Sequence, residues 1–163
     1  MSDLIRNVEF SDIDKIIKIN ELSVPAVNSI SRNKFEWFIK NSIYFKLIES
    51  SSYEIKGFLL ALNQEINYES LNYKWFKQRN KKFVYVDRIA ILDKFKRIGL
   101  GRMLYQDLEK SVKSDYDIIT CEYNLKPMNY ESEKFHKSTG FKQVGELITN
   151  NGKNEVALML KEI

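Results

Sequence analysis

The spacing of hydrophobic residues along the chain predicts four helices. The clearest covers residues 100–112, where apolar residues recur every fourth position and form the stripe of an amphipathic helix. A short helix is predicted from 129 to 139, with Asn129 as its N-cap and Gly140 at its end. The stripe of the 100–112 helix consists of Leu100, Leu104, Leu108 and Val112. Weaker patterns predict two more helices, near 12–22 and 31–41.

Short apolar runs bounded by turn residues predict the strands. Ser50–Ser52 separates the first two runs, and Asn151-Gly152 separates the last two, so each pair is predicted to form a hairpin. The runs lie near 43–49, 55–62, 83–92, 117–123, 141–148 and 154–160. With a further strand before the 12–22 helix, the order β-α-α-β-β-β-α-β-α-β-β predicts one mixed α/β domain that spans residues 1–163.

The segment 63–82 does not fit either periodicity. It is polar but contains several aromatic residues, and a connection of this length is usually functional or partly helical. Two interpretations stay open: a surface insertion whose aromatic side chains pack on the body of the protein, or a lid over a substrate. In the second interpretation the substrate-binding residues are Tyr73, Trp75 and Phe76.

Composition indicates a globular protein. Apolar residues make up 44% of the 163 residues and charged residues 29%, without a long polar tract. No apolar run approaches the length of a membrane helix, and the first ten residues lack the apolar core of a signal peptide. The single Cys121 excludes an internal disulfide. These features predict a cytoplasmic protein without a membrane association.

The charge and the metal-ligating residues narrow the class of ligand. The net charge of +4, from 26 basic and 22 acidic residues, suits a small anion as well as nucleic acid. One histidine and one cysteine do not form a recognisable metal site, so no metal is expected. Cys121 lies in an apolar run and is interpreted as a structural thiol.

The stretch 94–103, KFKRIGLGRM, has the features of an anion site. It joins a predicted strand to a predicted helix, whose first N–H groups and dipole favour negative charge. Gly99 and Gly101 allow a pyrophosphate to approach the main chain. The stretch does not match a Walker A loop, and Leu104 replaces the third glycine of the dinucleotide fingerprint. A tight turn without a ligand is the alternative interpretation.

Two segments resemble one family. Residues 96–101, KRIGLG, resemble the R/Q-x-x-G-x-G/A signature of the GNAT superfamily of N-acetyltransferases, with Lys96 where Arg or Gln is usual. Residues 129–146 resemble the later motif of that superfamily, with Asn129, Ser132, Phe135, Gly140 and Phe141 in register. The combination of YVDRIAI and FHKSTGF is similar to a bacterial branch of predicted acetyltransferases.

The resemblance implies a fold, an activity and a co-substrate. It implies a central mixed, mostly antiparallel sheet of about six to seven strands flanked by about four helices. It implies transfer of the acetyl group of acetyl-CoA to a primary amine of a small molecule, peptide or protein, by direct attack in a ternary complex. The alternative is a GNAT-like domain that binds an acyl-CoA without turnover. The implied coenzyme-binding residues are Ile89, Ala90, Ile91, Lys96, Arg97, Ile98, Gly99, Leu100, Gly101, Arg102, Asn129, Ser132 and Phe135.

The acceptor amine must arrive neutral or lose a proton, and a carboxylate, or a water held by one, can take that proton. At pH 7 this step costs about 4–5 kcal/mol for an amine of pKa about 10.4. Asp87 is the first candidate base, because alternation places it on the same face of its strand as Ile89 and Ile91. The alternative for Asp87 is a salt bridge. Glu122 is the second candidate, and Arg88 is expected on the face opposite Asp87 in a structural pair.

His136 occupies the position where many GNAT enzymes have a tyrosine that protonates the departing thiolate. An imidazole of pKa about 6.5 is partly protonated at pH 7 and can act as this acid. Two alternatives stay open: a hydrogen bond at the helix edge, or a coenzyme contact without proton transfer.

A basic aromatic segment leaves nucleic-acid binding as a further hypothesis. Glu65 and Glu69 and the absence of a nucleic-acid motif argue against it. Its basic residues are Lys74, Lys77, Arg79, Lys81 and Lys82. The expected partners are therefore acetyl-CoA and an amine acceptor, and the sequence leaves open whether the chain forms a homodimer.

Overall fold

The structure is a computed structural model that describes residues 2–163, and these residues contain seven strands and five α-helices. The strands are β1 Leu4–Asn7, β2 Tyr44–Glu49, β3 Ile55–Asn63, β4 Val84–Ile91, β5 Ile118–Lys126, β6 Lys142–Thr149 and β7 Asn154–Glu162. The α-helices are α1 Ile13–Leu22, α2 Arg32–Asn41, α3 Leu71–Arg79, α4 Leu100–Val112 and α5 Tyr130–Ser138. Short 3-10 turns cover Phe10–Asp12 and Asp93–Phe95.

The strands form one sheet in the order β1-β2-β3-β4-β5-β7-β6. The pairs β1–β2, β2–β3, β5–β7 and β6–β7 are antiparallel, whereas β4 and β5 are parallel. The predicted mixed, mostly antiparallel sheet is therefore confirmed.

The chain divides into two compact units. The first contains the residues up to Leu62 and Val86–Ser111, and the second contains Asn63–Tyr85 and Val112–Ile163. The prediction that residues 1–163 form one domain stays a prediction.

In the first unit, α1, α2 and α4 bury one face each. The predicted α4 stripe is buried, with Leu104 and Leu108 fully inaccessible to solvent. On the sheet, Gly57 of β3 permits a close approach to β4, because a Cβ at this position would lie 2.5 Å from the main-chain oxygen of Ala90. A side chain there would displace the backbone of β4.

In the second unit, aromatic rings form much of the core. The ring of Tyr73 lies 5.7 Å from that of Phe83 and 5.6 Å from that of Tyr85, between centroids. Phe76 packs against Tyr85 at 6.1 Å. The β6–β7 hairpin is confirmed. It turns through Asn150, Asn151 and Gly152, all in the left-handed region.

The segment 63–82 contains a helix that the predicted element order lacked. Ser70 caps α3 by accepting a hydrogen bond from the main-chain N–H of Tyr73. Tyr73 and Phe76, three residues apart, face the core and stabilise the helix through packing rather than through a long apolar stripe. Residues 2–163 therefore contain five α-helices instead of the expected four.

None of the helices within residues 2–163 is long and apolar enough to cross a membrane.

Candidate active site

The connection between β4 and α4 forms an exposed turn. After β4, a 3-10 turn closes with hydrogen bonds from Phe95 N–H to Leu92 O, at 2.8 Å, and from Lys96 N–H to Asp93 O, at 3.2 Å. The main-chain oxygen of Gly99 then accepts from Met103 N–H at 3.0 Å and begins α4. Residues 96–99 are all exposed, so the start of α4 is open to solvent.

The backbone of this turn explains the position of Gly99. Its φ is +92°, in the left-handed region that residues with a Cβ rarely adopt. A Cβ built there would meet no atom within 4 Å, so conformation rather than space requires glycine. Arg97 also has a left-handed φ, +65°. The turn is thus shaped by two unusual backbone positions before the helix.

The turn carries positive charge toward solvent. The first N–H groups of α4 have no acceptor inside the helix, and the helix dipole adds partial positive charge. Arg97 and Arg102 are exposed on either side of the helix start. Lys96 forms an ion pair with Asp93: its Nζ lies 2.8 Å from Oδ1 of that residue. The hydrogen bond from Lys96 holds the pKa of the Asp93 carboxyl below its usual range. This donor set fits a pyrophosphate group.

β4 supplies the main chain of the candidate site. The parallel register between β4 and β5 consists, among the described residues, of two Cα pairs, Val84–Ile119 and Tyr85–Thr120. Taken as whole residues with their main chain, Asp87, Ile89 and Ile91 are partly exposed, whereas Arg88 and Ala90 are buried. Ala90 is 4% exposed, whereas Ile89 and Ile91 are half-buried.

Asp87 lies in a buried ion pair with its neighbour Arg88. Nε of Arg88 donates to Oδ2 of Asp87 at 2.8 Å, and the two side chains are 3% and 5% exposed. Alternation predicted that the side chains point to opposite faces, but the guanidinium reaches the carboxylate. The salt bridge that was the alternative for Asp87 is therefore present, and the role of Asp87 as base stays a prediction.

Glu122 of β5 accepts two hydrogen bonds inside the second unit. The hydroxyl of Tyr85 donates to Oε1 at 2.7 Å, and Nδ2 of Asn72 donates to the same oxygen at 3.1 Å. Neither Tyr85 nor Asn72 was predicted from the sequence as a partner of Glu122. Tyr85 belongs to the motif YVDRIAI, but no local pattern connects Asn72, 50 residues away, with Glu122.

His136 is buried in α5 beside two phenylalanine rings. It is 3% exposed, and its ring lies edge-on to Phe135 at 5.2 Å and to Phe141 at 5.4 Å. Nδ1 lies 2.8 Å from the main-chain oxygen of Ser132, which can only accept, so Nδ1 carries the proton in this bond. Burial lowers the pKa of His136 below 6.5. These contacts favour the hydrogen-bonding interpretation, and the acid role stays a prediction.

The other predicted coenzyme residues of α5 have structural contacts. Oδ1 of Asn129 accepts from the main-chain N–H of Ser132 at 3.0 Å, which confirms the predicted N-cap. Gly140 ends the helix with a φ of +98°.

The aromatic residues of α3 pack inside the second unit. Tyr73 is 1% exposed, and its hydroxyl, with its single hydrogen, donates between two main-chain oxygens, that of Asn63 at 2.7 Å and that of Ile66 at 3.1 Å. Burial raises the pKa of Tyr73 to about 12. Phe76 is fully buried, and Trp75 is half-buried with the guanidinium of Arg79 stacked 3.8 Å from its ring centroid. The packing interpretation accounts for these contacts, and a substrate role for the three residues stays a prediction.

Cys121 is buried, as expected for a structural thiol. In the part of the chain that the structure describes, no group of three or more His, Cys, Asp and Glu residues could hold a metal ion.

Comparisons with known proteins identify the family. A family model described as an acetyltransferase (GNAT) domain matches residues 21–161. An N-alpha-acetyltransferase from Sulfurisphaera tokodaii is 27% identical over 148 residues, which cover 86% of this chain and 80% of the relative. This relative is archaeal, so membership of a bacterial branch stays a prediction.

Solved structures show the same fold. The structure of Ard1 from Thermoplasma volcanium matches with a TM-score of 0.78 at 16% identity, covering 100% of this chain and 99% of that one. The structure of Arabidopsis thaliana NAA60 in complex with acetyl-CoA matches with a TM-score of 0.76 at 14% identity, covering 99% of each chain.

Proposed function

The chain belongs to the GNAT family and is an acetyl-CoA-dependent N-acetyltransferase, and we propose that its acceptor is the α-amino group of a polypeptide. In this proposal the amine attacks the acetyl thioester directly in a ternary complex. The archaeal relative, an N-alpha-acetyltransferase, supports this class of acceptor over a small-molecule amine.

The observation that supports the use of acetyl-CoA is the turn between β4 and α4. Its exposed residues 96–99 precede a helix N-terminus. The exposed side chains of Arg97 and Arg102 add positive charge at the same place. We assign the pyrophosphate of the coenzyme to this turn, with main-chain N–H groups near Gly99 and Gly101 as donors. When bound, acetyl-CoA supplies an acetyl group activated as a thioester.

The main chain of β4 would hold the pantetheine arm. The two-pair register with β5 ends at Tyr85, so the strand from Asp87 to Ile91 continues beyond that ladder. Main-chain groups of Ile89, Ala90 and Ile91 are the donors and acceptors assigned to the arm. The side chains need only be apolar, which agrees with these three residues.

A carboxylate of the chain would remove the proton of the amine. Asp87 has the ion pair with Arg88, and Glu122 has the hydrogen bonds from Tyr85 and Asn72. Both groups are held in one orientation, as a base must be. We keep Asp87 as the first candidate and Glu122 as the second. Burial lowers the pKa of His136, so its imidazole ring is neutral at pH 7. His136 stays the proposed acid, and in that role the ring must gain a second proton when the substrates bind.

A cytoplasmic location is part of the proposal, and the single Cys121 agrees with it only in that it excludes an internal disulfide. Action as a monomer or a homodimer is compatible with it, and nucleic acid is not assigned as a partner.

The test is consumption of acetyl-CoA with a panel of peptides that differ in their first residue, beside lysine-containing peptides with blocked N-termini. Transfer to free N-termini alone supports the proposal, and transfer to lysine or to small amines alone contradicts it. Binding of acetyl-CoA without turnover on any amine would instead favour the acyl-CoA-binding alternative.

The base is identified with Asp87→Asn and Glu122→Gln, each compared across pH. Loss of the base should lower kcat at pH 7 by at least about tenfold, with partial recovery at high pH, where more of the amine is neutral. Tyr85→Phe is the matched variant for Glu122, because it removes only the hydroxyl that orients Oε1. A loss in Glu122→Gln and Tyr85→Phe, but not in Asp87→Asn, would transfer the role to Glu122.

A further inference from the structure

The buried guanidinium of Arg88 connects three parts of the first unit. Besides its bond to Asp87, Nη1 donates to Oδ1 of Asn20 at 2.9 Å and to the main-chain oxygen of Asn28 at 3.0 Å. Nη2 donates to Oδ1 of Asn28 at 2.8 Å. Arg88 therefore joins β4, the end of α1 and the connection between α1 and α2, from partners 68 and 60 residues away in sequence.

The network is closed by a second asparagine contact. Nδ2 of Asn20, which is fully buried, donates to the same main-chain oxygen of Asn28 at 3.0 Å. Asn20 thus uses its oxygen for Arg88 and its amide nitrogen for Asn28. The side-chain oxygen of Asn28 accepts from Arg88, and its main-chain oxygen accepts from both Arg88 and Asn20.

Further hydrogen bonds of the connection between α1 and α2 are local: Val27 N–H donates to Ser23 O at 3.2 Å, and Oγ of Ser29 donates to Oε1 of Glu21 at 2.7 Å. Most of residues 23–30 are exposed, including Asn28 itself, and Val24 is 45% exposed. A segment with few buried apolar contacts depends on such hydrogen bonds for its conformation. Arg88 is therefore well placed to define where this connection lies relative to β4.

The same guanidinium orients the carboxylate of Asp87. Arg88 donates hydrogen bonds to four acceptor atoms within residues 2–163. Of these four, the carboxylate oxygen of Asp87 is the one that carries a charge. A buried guanidinium is stable only when its donors are satisfied and its charge is compensated, so the pair favours one rotamer of Asp87. The planar fork of Arg can serve all three partners at once, whereas the ammonium group of Lys cannot reproduce this geometry.

We propose that Arg88 is a positioning residue: it fixes the carboxylate of Asp87 and ties that orientation to the conformation of the α1–α2 connection at Asn28. This inference rests on the proposed function, because it gives Asp87 a part in proton removal. A change at Asn28 is then transmitted to Asp87 through one shared guanidinium. The connection sets the geometry of the base without touching it.

The first experiment is a double-mutant cycle on the full chain with Arg88→Met and Asp87→Asn. Arg88→Met should lower kcat by at least about tenfold, while acetyl-CoA affinity measured by calorimetry changes by less than about twofold. In the Asp87→Asn background the same substitution should change kcat by less than about twofold, because the residue through which it acts is absent. If the fold-losses in kcat of the two single variants multiply in the double variant, the two residues act independently and the proposal is overturned.

A matched pair at Asn28 tests the connection without a change in the buried core. Asn28→Asp keeps the side-chain acceptor for Nη2 and should keep kcat within about twofold, whereas Asn28→Leu removes it and should lower kcat about threefold to tenfold. Equal kcat for the two variants would overturn the coupling. Since Asn28 is exposed, both variants are expected to fold even if Arg88→Met does not.

Hydrogen exchange gives a readout that does not depend on turnover. In Arg88→Met, and more weakly in Arg88→Lys, amides of residues 23–30 should exchange at least about tenfold faster, with exchange in α4 unchanged. Unchanged exchange in residues 23–30 of a folded Arg88→Met variant would overturn the anchoring. Absence of turnover in the unmodified protein would refute the proposed function, and the exchange result would still decide the anchoring. Full activity in Asp87→Asn would overturn the coupling and leave the proposed function intact.

Discussion

The ring edge of Trp75 occupies the space that a side chain at Gly145 would need. A Cβ built on Gly145 would lie 2.6 Å from Cζ2 of Trp75, a separation that ordinary contacts do not show. Helix α3 therefore packs onto strand β6 through a large ring on one side and the lack of a side chain on the other.

Gly145→Ala should destabilise the protein by displacing this ring. We expect the free energy of unfolding to fall by about 1–3 kcal/mol, the usual range for an overpacked contact. In a Trp75→Ala background the same substitution should have little effect, because the space is then open. Denaturant unfolding of the four proteins measures both numbers, and equal effects in the two backgrounds would contradict the contact.

Trp75→Ala alone separates packing from a lid. The packing interpretation predicts a loss of about 2–4 kcal/mol in unfolding free energy with an unchanged acceptor KM. A raised acceptor KM in a variant of unchanged stability would instead support the lid. Thermal unfolding and steady-state kinetics on one preparation give both results.

Arg97→Gln and Arg102→Gln should each weaken the binding of coenzyme A. Each substitution removes a charged donor beside the helix start, so we expect affinity to fall by about threefold to thirtyfold. Titration calorimetry at two salt concentrations measures the loss and its screening. Lys94→Gln is the control, because Lys94 pairs with Glu54 and its loss should leave affinity nearly unchanged. A loss of the same size in the control would show that general charge, rather than the turn, binds the coenzyme.

The stability of the protein should fall as the pH decreases below about 6.5, partly because of His136. Burial lowers its pKa in the folded state, so the unfolded chain binds the proton first. The neutral ring contributes stability that is present above the ordinary pKa and is lost as the pH falls toward the folded pKa. Denaturant unfolding of the protein and of His136→Phe between pH 5 and 8 tests this expectation. Parallel stability curves would show that His136 does not titrate in this way.

Arg6→Met should be strongly destabilising. Arg6 donates to both oxygens of Glu49, at 2.8 and 3.0 Å, and to both oxygens of Asp12, at 2.8 and 3.0 Å. Glu49 and Asp12 are 3% and 7% exposed, so the substitution leaves two buried carboxylates without their cation. We expect a loss of about 3–5 kcal/mol in the free energy of unfolding.

The control for Arg6 is Arg32→Met, which removes an exposed ion pair. Nη2 of Arg32 lies 2.9 Å from Oδ1 of Asp14, but the two side chains are 47% and 83% exposed. Such pairs contribute about 0–1 kcal/mol. Similar losses for the two variants would show that burial does not set the strength of the Arg6 network.

The sequence by itself determined the elements whose signals are local. The α4 stripe depends on residues four apart, and the cap at Asn129 needs an N–H only three residues away. The turn before α4 also follows from local features, since a left-handed backbone position such as Gly99 favours glycine. Motifs contained in such segments carried the family resemblance, and the family match over residues 21–161 confirms it.

Only the tertiary structure decided which groups meet across long stretches of chain. Alternation along β4 predicted that the side chains of Asp87 and Arg88 point to opposite faces of the sheet. In the structure Nε of Arg88 donates to the carboxylate of Asp87, and the same guanidinium also donates to Asn20 and Asn28 from distant parts of the chain. Helix α3 has a weak periodicity and is stabilised by its buried aromatic rings. Such contacts depend on the burial of polar and aromatic groups together, and that burial exists only once distant segments have packed.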